Sequence, residues 1–118
     1  MGIVAELVLV ALFEALGWYA TRALETRAVA ASLWLILTAT GAGGGIAWGA
    51  YAGSSDFIDT PVSPWIALAV AIVAVVLAVR APSGDDPART LKARLFLFAT
   101  FNAAIVIGIA VGYNAATA

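Results

Sequence analysis

The sequence predicts an all-α integral membrane protein: four transmembrane helices in a small bundle, with both termini non-cytoplasmic. Three observations carry that expectation. The 118-residue chain is 64% hydrophobic with a mean hydropathy of +1.02, well outside the usual range of soluble domains. Cut at its charges, it separates into four apolar spans, about 3–20, 28–52, 64–79 and 95–113. Its basic residues fall on alternate connections. A single membrane domain over 1–118 is expected, each span approaching the roughly 20 residues that cross about 30 Å of hydrocarbon.

The first span begins "MGIVAELVLV", with no basic n-region and with Glu6 inside the apolar stretch, so it reads as a retained helix rather than a cleaved signal. Glu6 is expected at the outer edge, within reach of headgroup water. Glu14, in "LVALFEALGW", lies about two thirds of the way along the span. An ionisable side chain at that depth is costly and is by default a candidate functional group.

The second span ends in "TATGAGGGIAWGAYAG", where Gly41, Gly45, Gly49 and Gly53 recur every four residues. That spacing lines them along one helix face, and small residues there let another backbone approach closely, which in lipid replaces the missing hydrophobic force. The run "GAGGG" has more glycine than such a face needs. Local unwinding, with backbone carbonyls offered to an ion or substrate, is the second possibility there.

The third span is the shortest, opening at "SPW" with Ser63 as N-cap and Pro64 at the first helical position. Asp86 and Pro87 repeat that device ahead of the fourth span, which is expected to begin before the membrane. Ala104, Gly108 and Gly112 repeat the four-residue spacing. Helices two and four are therefore the expected tightly packed pair.

Orientation follows from charge. Arg22 and Arg27 occupy the first connection, and Arg80, Arg89, Lys92 and Arg94 surround the third, whereas the second carries only Asp56 and Asp59. The bias of Lys and Arg toward the cytoplasm places the first and third connections there, with Arg89, Lys92 and Arg94 suited to anionic headgroups. Trp48, Tyr51, Trp65 and Tyr113 then fall near the outer interface and Trp18 and Tyr19 near the inner one. Trp34 lies deeper, at a level suited to packing between helices.

Counted from the inner ends, Glu14, Thr38 or Thr40, and Asn102 all sit roughly 10–15 Å into the membrane, so a polar layer joining helices one, two and four is expected. Such a layer has two uses. Interhelical hydrogen bonds of about 1 kcal/mol act as adhesive, or the carboxylate couples to a proton or cation.

Composition excludes much else. The chain has no cysteine and no histidine, and its single methionine is Met1, which leaves no thiol chemistry and no ligand set for haem, copper or iron–sulfur centres. No catalytic residues, metal or cofactor are expected, and the chain does not read as an enzyme. No basic tract suggests nucleic acid.

In Glu14, Gly17 and Arg22 the first span resembles the first helix of the small multidrug resistance transporters, which are also short four-helix proteins. The resemblance implies for Glu14 the role of binding a cationic drug and a proton in turn. It covers one helix of four. "WIALAVAIVAVVLAVR" departs from that family's aromatic and glycine pattern, and the strong basic bias implies one orientation instead of dual insertion.

The expected function is an accessory or scaffolding subunit of a larger membrane complex, packing through the glycine faces. The alternative is a small oligomeric proton- or cation-coupled transporter or channel using Glu14. Expected partners are the lipid bilayer and other membrane subunits or further copies of the chain. The alanine- and valine-rich composition suits a prokaryotic plasma membrane.

Overall fold

In the computed structural model the described residues, 2–22, 30–54, 63–81 and 86–117, form four helices: α1 (Gly2–Ala20), α2 (Ala30–Ser54), α3 (Ser63–Arg80) and α4 (Asp86–Thr117). Arg27, Asp56, Asp59 and Asp85 lie outside the described residues, as do the side chains of Asp86, Pro87 and Arg89. Among the described residues, three stretches, Ser32–Ser54, Ser63–Arg80 and Leu91–Thr117, are long and apolar enough to cross a membrane. The remaining helix, α1, has 19 residues, one more than α3, and carries both Glu6 and Glu14.

The "GAGGG" run is regular helix. Among the described residues there is no cis peptide bond and no glycine with positive φ, so α2 continues unbroken past Gly44. Intact i to i−4 bonding satisfies the backbone polar groups that an apolar medium would leave stranded.

Helix α4 is the hub, packed against α2, α3 and α1. It runs parallel to α2, because Gly41, Gly45 and Gly49 meet Phe101, Ile105 and Ile109 in ascending register. From α3 it receives a stripe of Ala67, Ala71, Ala74 and Ala78, small side chains that recur at helical spacing. Leu33, Leu37, Leu97, Phe101, Ile105 and Ile109 fill the shared core.

Large apolar side chains such as Leu12, Leu16, Ile36, Val73, Val79 and Ile107 point outward. A surface this apolar suits hydrocarbon and not water. Trp34 belongs to that surface: it is 45% exposed, on the side of α2 away from the Leu33 and Leu37 face, and not between helices.

Candidate functional site

The glycines expected to pack helices do so within the chain. A Cβ at Gly45 would fall 2.5 Å from the Ile105 carbonyl oxygen and 3.1 Å from the Gly108 Cα. Gly49 lies equally close to the Ile109 carbonyl, Gly108 to that of Ala42 and Gly112 to that of Ile46. At the two ends of the seam Gly41 rests on Phe101 and Ala104, and Gly53 on Ala116 and Tyr113. The extra glycines have separate explanations. Gly44 receives the Phe13 ring from α1, 2.7 Å from where its Cβ would stand, while Gly43 faces open space.

Helix α1 is held mainly by its side chains, and at both ends by polar ones. At the end shared with the start of α3, Glu6 Oε2 accepts the Ser63 N–H at 3.0 Å and the Trp48 indole N–H at 3.4 Å. The same indole N–H donates to Ser63 Oγ at 2.8 Å. Glu6 is thus 1% exposed and does not reach headgroup water; its carboxylate complements the positive N-terminus of α3. Sequence reading had only Ser63 as the cap. The signal that could have found Glu6 was a second acid in an apolar span, since such a charge must find donors.

At the opposite end the Arg94 Nε donates to Thr21 Oγ1 at 3.0 Å, and its guanidinium lies 4.3 Å from the Trp18 ring centroid. Arg94 is only 8% exposed and faces the bundle instead of the headgroups. A guanidinium sheds water more readily than an ammonium and stacks on aromatic faces, which suits it to this position. Arg22 remains exposed against Tyr19, and Arg80, at the end of α3, is also exposed. With half-buried Lys92, the described basic residues gather at one end of the bundle. Between the two ends Gly17 sits against the Phe101 ring, within an aromatic group of Phe13, Trp18, Phe98 and Phe101.

Beside that contact α1 stands off from the other helices, and a cavity of about 360 Å³ opens between them. Its walls include Val10 and Phe13 from α1, Gly44 and Trp48 from α2, Ser63 and Ala67 from α3, and Ile105 and Ile109 from α4. Among the described residues, Glu14 is the only acid that lines it.

Of the expected polar layer, Asn102 lies beside Glu14, within hydrogen-bonding reach. Asn102 is 0% exposed, and its amide N–H donates to the Phe98 carbonyl at 2.9 Å. Among the described residues, the buried atoms Glu14 Oε2, Asn102 Oδ1 and Thr38 Oγ1 accept no hydrogen bond and have no partner. Thr38 is therefore not tied to the other two, and Thr40 faces outward. Buried acceptors normally find donors, so Glu14 Oε2 and Asn102 Oδ1 mark the polar point beside the cavity.

Comparison with protein-family models, curated proteins and solved structures finds no match for this chain. The functional reading rests on the site's own chemistry.

Proposed function

We propose that the chain is a four-span membrane protein whose cavity binds a small, mostly apolar cation at Glu14, exchanging it for a proton. The observation that carries this reading is Glu14, an acid in the lining of a mostly apolar cavity, whose Oε2 is buried with no donor. A single carboxylate matches one positive charge, and the neighbouring Phe13 and Trp48 rings offer π faces to a cation. Two oxygen acceptors, Glu14 Oε2 and Asn102 Oδ1, are too few for the roughly six or more oxygens that a hard metal ion takes, which favours an organic ammonium.

In this reading α1 completes the fourth crossing. The basic end, with the connections from α1 to α2 and from α3 to α4, faces the cytoplasm of a prokaryotic cell, and both termini lie outside.

The test is binding of phenethylammonium to the protein in lipid nanodiscs by calorimetry, followed by proton-coupled flux in liposomes. Glu14→Gln keeps the shape and removes the charge, and should abolish both signals. Undiminished binding in that variant would remove Glu14 from the mechanism.

A second reading, an accessory or scaffolding subunit of a larger complex, is favoured by one observation. The glycine seam is spent inside the chain, but exposed Ala103 lies in a groove between α3 and α4 floored by buried Ala71 and Ala99 and flanked by Ile72, Val75 and Phe96. Small residues on a concave face admit a partner helix closely. Copurification of a stoichiometric subunit that is lost on Ala103→Leu would support this reading over the first.

A further inference from the structure

The polar contacts at the end of α1 do more than attach it. Trp48 and Ser63 both line the cavity, and both are tied to Glu6, which lies outside it. One indole N–H is shared between the Ser63 hydroxyl and the Glu6 carboxylate, at 2.8 and 3.4 Å, while the Ser63 N–H completes the triangle at 3.0 Å. The three residues come from three helices, so the triangle holds α1, α2 and α3 together where the cavity would otherwise part.

The far end of α1 is fastened differently. Gly17 meets the Phe101 ring, with Trp18 against Phe98 and Arg94 bonded to Thr21. From Gly17 to Glu6 the helix extends roughly 16 Å at 1.5 Å per residue, and on its cavity side that length has little close backbone packing to hold it. A rigid rod fixed at one end and bonded at the other is a lever. Releasing the bonds lets the free end swing without breaking the aromatic contact.

We propose that Glu6, Trp48 and Ser63 form a latch that controls entry to the Glu14 cavity, with the contact between Gly17 and Phe101 as the pivot. When the latch is closed, the indole and the start of α3 cover the cavity; when it opens, the Glu6 end of α1 moves away from α3. The inference rests on the cavity being the working site, but the motion itself requires no ligand.

The absence of native cysteine makes a single-cysteine probe unambiguous. Val10→Cys places a thiol in the cavity wall one turn from Glu14, and its reaction with a charged methanethiosulfonate reagent is followed in nanodiscs, where both faces are accessible. Trp48→Phe in that background keeps an aromatic ring and removes the shared donor, and Ser63→Ala controls for the ring volume lost with it. Labelling should then accelerate about tenfold, the effect of one lost hydrogen bond on an opening equilibrium. Ser63→Ala, which removes only the hydroxyl acceptor, should act in the same direction and serves if the tryptophan variant does not fold.

Thr21→Val loosens the other end and should leave the rate unchanged. An unaltered rate in both latch variants overturns the proposal, as does equal acceleration by Thr21→Val, which would mean general loosening. Because labelling needs no cation, these outcomes stand whether or not phenethylammonium binds.

Discussion

Gly45 and Gly108 face one another across the crossing of α2 and α4, and a Cβ on either would come within 3.1 Å of the other's Cα. Backbone, not side chain, fills the seam. Gly45→Ala and Gly108→Ala are therefore expected to destabilise the bundle by about 1–3 kcal/mol each, as overpacking does, since the opposing carbonyls cannot rotate away. Thermal unfolding in a mild detergent measures the loss.

Gly43 should behave in the opposite way. With open space around it, Gly43→Ala gains helix propensity without a clash and is expected to stabilise by about 0.5–1 kcal/mol. Gly44→Ala lies between these cases, because its methyl group meets the Phe13 ring, which can shift into the cavity. The same melting series, run on three adjacent positions, ranks them Gly43, Gly44, Gly45.

Arg94 and Thr21 supply a charge-assisted bond in a site nearly closed to water. Arg94→Lys loses both the Nε donor geometry and the stacking on Trp18, and a cost of about 1–2 kcal/mol is expected. Thr21→Val keeps the shape and removes the acceptor. A double-mutant cycle between the two should return a coupling of at least about 0.5 kcal/mol, and strict additivity would contradict the bond.

Asn102 separates stability from binding. Its Oδ1 has no donor, so Asn102→Leu trades a half-satisfied amide for an apolar group of similar volume and should leave the melting temperature unchanged or raised. Phenethylammonium should nevertheless bind about tenfold more weakly once the amide beside Glu14 is gone. A lowered melting temperature with unchanged affinity would reverse both assignments.

Sidedness is read with reporters. Alkaline phosphatase fused after Ala118 should be active in a bacterial host and a fluorescent protein there dark, with the reverse at the connection between α3 and α4. A bright fluorescent fusion at the C-terminus would invert the proposed orientation.

Much of this arrangement is visible in one dimension. Charges mark where helices end, and a four-residue glycine period carries its own contact face, so the pairing of α2 with α4 can be anticipated before any coordinates are known. The neighbours of α1 are harder. Nothing in "MGIVAELVLV" indicates that Glu6 caps a helix beginning 57 positions later, because that bond depends on the crossing of α1 and α3. Arg94 reads as a headgroup ligand among Arg89 and Lys92, and only the position of Trp18 and Thr21 turns it inward. The cavity itself follows from α1 standing off at Phe13 and Gly44, a property of shape that no local pattern encodes.

Helix α4 follows the other three in the chain, yet each of them rests on it. In the four-span topology proposed above, a ribosome thus delivers α1, α2 and α3 into the membrane before the surface they fit exists. At usual elongation rates the grooved face of α2 waits on the order of 3–12 s for Gly108 and Gly112 to emerge. During that interval Gly45 and Gly49 lack the backbone they pack on, and insertion and assembly become separate events in time. Membrane chaperones and proteases then have a window in which to act on the unfinished bundle.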